Sequence, residues 1–68
     1  MNATLPHRLE GTVEHAPRGL LLRDRDGMWW RLDCSADVRP YLTGTVRIAG
    51  VRTPQGAIEV WHVEAIAA

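Results

Sequence analysis

Short runs of alternating apolar and polar residues, separated by glycine and proline, recur along this chain of 68 residues. Alternation with a period of two places apolar side chains on one face of a β-strand, whereas an amphipathic helix needs a spacing of about 3.6 residues, which no long segment has. The glycines and prolines between the runs mark turns. The pattern therefore predicts one all-β domain, with strands at about residues 7–15, 19–24, 28–33, 44–52 and 57–66.

The turn between the second and third predicted strands determines which side chains face inward. A three-residue loop, Arg25–Gly27, with the glycine in the left-handed region, pairs Leu22 with Trp30 and Leu20 with Leu32. A two-residue loop would instead pair an arginine with a tryptophan and mix charge into the apolar face. The three-residue loop predicts that the core contains Leu20, Leu22, Met28, Trp30 and Leu32, and that the outer face carries Leu21, Arg23, Trp29 and Arg31.

Residues 35–42 interrupt the alternation and predict a short helical turn between the third and fourth strands. Ser35 is expected to cap this turn with its hydroxyl, and Pro40 is expected to limit its length. Apolar side chains of the same segment are expected to close one end of the core. These are Val38, Tyr41 and Leu42.

The last predicted strand changes its alternation part of the way along. Ile58 and Val60 fit one inward face, but Val63 and Ile66 fall out of step with them. A β-bulge near Trp61 would add one residue and return the later apolar side chains to the core. This interpretation predicts that Trp61 points outward. In the preceding strand, the inward residues are expected to be Val46, Ile48 and Gly50.

Three strands, a short helical connector and two further strands form the element order of the OB-fold, a small five-stranded Greek-key barrel. The SH3-like barrel is the alternative, and it usually lacks a helical piece at this position. The segments LTGTVRIAGVR and GAIEVWHVEAI resemble strands four and five of small bacterial OB-fold proteins, and LEGTVEH, GLLLRD and MWWRLD resemble strands one to three. Over residues 8–66 the chain is similar to uncharacterised alphaproteobacterial single-domain proteins of this fold. The resemblance implies an OB-fold and supplies no functional residue.

The composition excludes several ways of stabilising a small domain. A single cysteine, Cys34, forms no internal disulfide and leaves no Cys/His set for a structural zinc. Eight arginines balance eight acidic residues, which argues against a strong electrostatic footprint for nucleic acid. The chain has neither a signal-peptide pattern nor an apolar run of membrane-spanning length, so we expect a cytoplasmic protein that does not contact a membrane.

The sequence contains no pattern typical of a catalytic, metal or cofactor site. The three histidines, His7, His15 and His62, lie at no spacing suited to one metal ion. Cys34 has no obvious histidine partner, and Ser35 is better explained as a helix cap than as a nucleophile. The glycines occur singly and form no phosphate-binding loop. We therefore expect a non-enzymatic protein without a cofactor.

The sharpest functional signal is an exposed tryptophan on the second and third strands. Trp29 is expected to share the outer face with Leu21, Arg23 and Arg31. In OB-folds this face, with the loops after strands one and four, binds ligands. Trp61 is a further candidate contact residue on the last strand, where it is expected to cover the seam of the barrel.

Two classes of partner remain open for this face. A large ring beside an aliphatic side chain suits a protein partner or a homodimer, and this is the favoured interpretation. The alternative is weak, sequence-tolerant binding of single-stranded nucleic acid, with bases stacked on the ring and arginines near the phosphates. Acidic residues expected to share or border the face would weaken attraction to phosphates. These are Glu10, Glu14 and Asp33.

Overall fold

Five strands form one closed sheet in the computed structural model, which describes residues 6–66. The strand order around the sheet is β1-β2-β3-β5-β4, and β4 pairs back with β1. Within the described residues, no helix has the length and hydropathy needed to cross a membrane. The prediction of an all-β chain is confirmed. The strands are β1 (His7–Ala16), β2 (Gly19–Asp24), β3 (Trp29–Asp33), β4 (Thr45–Arg52) and β5 (Ile58–Ala65).

The longest strand, β1, joins both sides of the sheet. Its first part, His7–Thr12, pairs with β4, and its second part, Gly11–Ala16, pairs with β2, both in antiparallel fashion. Gly11 and Thr12 therefore have a partner on each side. The backbone of β2 lies so close to Gly11 that a methyl group at this position would overlap the carbonyl oxygen of Arg23. A glycine at this point lets one strand serve both neighbours.

The predicted register of the β2–β3 hairpin is confirmed. Leu22 lies opposite Trp30, and Leu20 lies opposite Leu32. Gly27 has a φ of 82°, in the region that glycine adopts without steric strain. The three-residue loop therefore fixes which side chains of β2 and β3 point into the core.

The core is a single apolar cluster inside the closed sheet. Of the predicted inward residues, the cluster includes Leu20 and Leu22 of β2, Leu32 of β3, and Val46 and Ile48 of β4, and the partly buried Trp30 packs against it. No polar or charged residue is buried among residues 6–66. Burial of these aliphatic side chains is the main stabilising contribution in a domain of this size. The buried apolar residues are Val13, Leu20, Leu22, Leu32, Leu42, Val46, Ile48, Ala57, Ile58 and Val60.

Two residues predicted to be in the core are exposed instead. Met28 has 57% of its surface exposed, because it lies beside the three-residue loop, opposite Asp24, where the apolar cluster does not extend. Tyr41 is 66% exposed at the end of the 3₁₀ turn Arg39–Tyr41. The next residue, Leu42, is fully buried and closes the core in its place.

The prediction that the Ser35 hydroxyl caps the helical segment is wrong. No side-chain hydrogen bond caps the 3₁₀ turn, whose N-cap residue is Val38. Ser35 contributes its backbone carbonyl oxygen, which accepts hydrogen bonds from the N–H groups of Val38 and Arg39 at 3.1 Å. Pro40 lies inside the first turn, where its missing N–H leaves no hydrogen bond unmade.

The predicted bulge in β5 is confirmed. Gly50 pairs with Val60 whereas Ala49 pairs with His62, so Trp61 is the extra residue. The shift returns Val63 to contact with the core. Trp61 points outward with 56% of its surface exposed, as predicted.

Candidate binding surface

The outer faces of β2 and β3 carry four adjoining side chains that were predicted to lie together. Leu21 is paired with Arg31, and Arg23 is paired with Trp29. Because side chains alternate along a strand, all four project from the side of the sheet opposite the core. We call these four residues the β2–β3 surface.

The central feature of the β2–β3 surface is a tryptophan ring with a guanidinium group over it. The guanidinium carbon of Arg23 lies 5.7 Å from the centroid of the Trp29 indole. A cation over an aromatic face is attracted by the ring quadrupole, by about 0.5–1 kcal/mol at an exposed site, so the contact favours this placement of the two side chains. Trp29 nevertheless keeps 51% of its surface exposed. The molecule thus presents a large aromatic ring to solvent.

The neighbouring indole has a structural role. The Nε1–H group of Trp30 donates a hydrogen bond of 2.9 Å to Oδ2 of Asp24. The other carboxylate oxygen of Asp24, Oδ1, accepts bonds of 2.9 Å from the backbone N–H groups of Asp26 and Met28. One carboxylate therefore holds both the loop and the inner tryptophan, and it fixes the position at which Trp29 leaves the loop.

The hydrogen bond from Trp30, followed by that from the Met28 backbone, lowers the pKa of Asp24 below its ordinary value of 3.8. A carboxyl whose pKa is lower in the folded chain than in the unfolded chain favours folding in its ionised form. This stabilisation is present above pH 3.8 and is lost as the pH falls through the lower, folded-state pKa.

We expect Asp24→Asn to lower the midpoint temperature of unfolding by several degrees at neutral pH. An asparagine side chain has one acceptor oxygen, so its NH₂ group would face an N–H group that now donates to the carboxylate. The variant should also lose less stability than the natural chain below pH 3.8. Thermal melts followed by circular dichroism at several pH values measure both effects. Asp26→Asn is the matched control, and an equal response of the two variants would contradict the role assigned to Asp24.

The acidic residue Glu10 does not neutralise the β2–β3 surface, contrary to the expectation from sequence. Its Oε2 accepts a hydrogen bond of 2.8 Å from Nε of Arg47, and its Oε1 accepts one of 2.8 Å from Arg25. The bond with Arg47 is the main reason that the pKa of Glu10 is lowered. Among residues 6–66, neither Arg23 nor Arg31 forms a salt bridge.

Trp61 does not join the β2–β3 surface. The contact between β3 and β5 is short and parallel, with Leu32 opposite Ile58 and Asp33 opposite Glu59. Trp29 precedes this contact and Trp61 follows it, so the two rings are roughly 20 Å apart along the strands at the usual rise per residue. The two exposed tryptophans therefore belong to separate surfaces.

A cleft that the sequence did not reveal adjoins the β2–β3 surface at the β1–β2 turn. It has a volume of about 510 Å³. Pro17 and Leu21 contribute apolar lining, and the charged residues Arg18, Arg31 and Asp33 also line it. We call this the turn cleft. Leu21 and Arg31 belong to both the cleft and the β2–β3 surface, so the two form a continuous area.

The described residues contain no group of three histidine, cysteine, aspartate or glutamate side chains placed to hold a metal ion. Cys34 is half-buried and is not paired in a disulfide. The residues with the clearest chemical arrangement are therefore those of the β2–β3 surface and the turn cleft.

Comparison with known proteins identifies a family. Neither a curated protein nor a solved structure matches this chain. A family model described as "Protein of unknown function (DUF5818)" matches residues 10–66. The matched region includes most of β1 and all of β2, β3, β4 and β5. The chain belongs to the DUF5818 family of proteins of unknown function.

Proposed function

We propose that this chain is a non-enzymatic binding module that docks a protein partner on the β2–β3 surface. The observation that carries the proposal is the half-exposed indole of Trp29, held in place by Arg23. A tryptophan supplies a large contact area and loses little conformational entropy on binding, which is why such residues dominate interface energies. Leu21 extends the apolar part of the surface, and Arg31 extends its charged part.

We infer that the closed sheet is an OB-fold-like Greek-key barrel. The long β1 that pairs with both β2 and β4 supports this inference, as does the 3₁₀ turn between β3 and β4. In an OB-fold, the outer face of strands two and three is a frequent ligand-binding face. The inference on fold therefore agrees with the proposed position of the docking surface.

The charges favour an acidic protein over a second copy of this chain. Arg23 and Arg31 form no salt bridge among the described residues, so a partner's carboxylates can reach both. A symmetric dimer through the same surface would bring the arginines of both copies together, where like charges repel. Glu14, opposite Leu21 on β1, and Asp33, the next outward residue of β3 after Arg31, are acidic groups beside the surface that could reduce this repulsion in a homodimer.

Affinity capture from an extract of the cells that produce the protein tests the proposal, with the natural chain, Trp29→Ala and Trp61→Ala as baits. We expect a partner to be retained by the natural chain and by Trp61→Ala, and to be lost by Trp29→Ala. The two substitutions remove equally exposed rings from separate surfaces, so they are matched controls for each other. Equal retention by all three baits would contradict the proposal.

Sedimentation of the pure chain over a range of concentrations tests for a homodimer. We expect a monomer, because the charges favour a different partner. A dimer that Trp29→Ala dissociates would assign the same surface to self-association.

Single-stranded nucleic acid is the second candidate partner. One observation favours it: Glu10 is held by Arg25 and Arg47 and leaves Arg23 free over the Trp29 ring. Stacking of a base on the ring with a nearby guanidinium is a sequence-tolerant binding mode.

Titration with oligothymidine, followed by tryptophan fluorescence, tests this candidate. If nucleic acid binds, fluorescence is quenched and the affinity falls as salt rises. Trp29→Ala should abolish the quenching, and Trp61→Ala should retain it. An unchanged signal at low salt would remove this candidate.

A further inference from the structure

The turn cleft has a chemical character distinct from that of the Trp29 ring. Its apolar lining includes Pro17 and Leu21, with the buried core residues Leu20 and Leu32 behind them. No aromatic side chain borders it. The cleft can therefore exclude water around an aliphatic group, but it offers no ring on which a nucleic-acid base could stack.

Two arginines and one aspartate are among the residues that line the turn cleft. Arg18 belongs to the β1–β2 turn, and Arg31 belongs to β3, so the arginines approach the cleft from different elements. Neither forms a salt bridge among residues 6–66. Asp33, the next outward residue of β3 after Arg31, adds a carboxylate. This carboxylate repels phosphates and carboxylates alike, so anionic groups of a ligand must lie beside the two arginines, whereas a peptide N–H group can donate a hydrogen bond to Asp33.

We propose that the turn cleft binds an aliphatic side chain of an extended acidic segment in the partner protein. The aliphatic side chain would fill the cleft, and carboxylates on either side of it in the segment would pair with Arg18 and Arg31. A volume of about 510 Å³ has room for one large side chain with adjacent backbone. This inference rests on the proposed function, since the cleft continues the β2–β3 surface through Leu21 and Arg31.

Calorimetric titration with synthetic peptides tests the inference. The probe is a short peptide with one central leucine flanked by glutamates. One comparison peptide replaces the glutamates by lysines, and another replaces the leucine by glycine. We expect the acidic leucine peptide to bind, and each comparison peptide to bind at least about tenfold more weakly. Equal binding of the glycine peptide would overturn the cleft as a side-chain site, and equal binding of the lysine peptide would overturn the charge assignment.

Charge reversal locates the binding site. Arg18→Glu and Arg31→Glu should each weaken binding of the acidic leucine peptide by about tenfold or more. Arg8→Glu is the matched control, because Arg8 is an exposed arginine near the opposite end of β1 and should leave the affinity unchanged. An equal loss in all three variants would indicate long-range attraction only and would overturn the inference.

Other outcomes separate this inference from the proposed function. Retention of a cellular partner through Trp29, without binding of the acidic peptide, would overturn the cleft assignment and leave the β2–β3 surface as the docking site. Oligothymidine binding that Arg18→Glu and Arg31→Glu abolish would assign the cleft to nucleic acid instead. Peptide binding that both substitutions leave unchanged would place the acidic segment elsewhere and overturn the inference.

Discussion

Replacing Gly50 by alanine is expected to unfold the chain. Gly50 is buried in β4 beside the β5 bulge, where a methyl group would overlap the backbone carbonyl oxygen of Glu59. It would also lie 3.1 Å from Cγ2 of Ile58. Backbone atoms cannot rotate away as a side chain can, so β4 and β5 would have to separate. A domain of this length has a total stability of roughly 3–10 kcal/mol, which such a separation would largely remove.

Gly56→Ala is the matched control for this prediction. Gly56 has a φ of +84° and has open space around it, so alanine there meets backbone strain without a steric overlap. We expect this strain to cost about 1 kcal/mol. Thermal and urea unfolding followed by circular dichroism measure both variants. A midpoint temperature for Gly50→Ala equal to that of Gly56→Ala would contradict the close approach of β4 and β5.

Substitution of the two neighbouring tryptophans by alanine is expected to change the stability of the chain by very different amounts. Trp30→Ala should destabilise the chain by about 3 kcal/mol, because it removes a large side chain packed against the core. It also leaves the carboxylate of Asp24 without its indole donor. Trp29→Ala should change the free energy of unfolding by less than about 1 kcal/mol, since its ring is half exposed and lies outside the core.

Urea unfolding of the two variants under identical conditions measures this difference. A fluorescence signal remains in each variant, because two tryptophans are left. Trp30→Phe is a useful intermediate, since it retains much of the packing and removes the hydrogen bond to Asp24. Similar destabilisation by Trp29→Ala and Trp30→Ala would contradict the division of roles between the two rings.

The inward and outward sides of β2 and β3 could be predicted from sequence because they depend on local rules. A period of two assigns alternate side chains to opposite faces, and loop length then fixes which residues of the two strands are paired. Gly27 supplied the loop signal, and the pairing of Leu22 with Trp30 followed from it. The bulge at Trp61 could be predicted by the same reasoning, because Val63 had to return to the core.

Element boundaries were less predictable. Met28 fits the alternation of β3, but it lies at the loop end of the hairpin, where its side chain is exposed, and β3 begins at Trp29. Tyr41 and Leu42 are adjacent apolar residues, and only the direction of the chain after the 3₁₀ turn decides which of them is buried. Apolar residues at the end of an element carry little information about which side they face.

The charge environment of the candidate site depends on contacts between distant parts of the chain. Glu10 and Arg47 meet because β1 pairs with β4, although they lie 37 positions apart in sequence. The turn cleft forms where the β1–β2 turn lies against the end of β3. Asp24 is the exception, since an aspartate immediately before a three-residue loop is a recognisable turn signal that predicts bonds to nearby N–H groups.

Hydrogen–deuterium exchange of the three indole N–H groups most directly tests whether Trp29 is free to contact a partner while Trp30 is held inside. Protein with ¹⁵N-labelled tryptophan is transferred to D₂O, with Trp29→Phe and Trp61→Phe used to assign the signals. We predict that the Trp30 signal persists, because its N–H group donates to Asp24, and that the Trp29 and Trp61 signals disappear first. Protection of Trp29 equal to that of Trp30 would contradict the proposed docking surface.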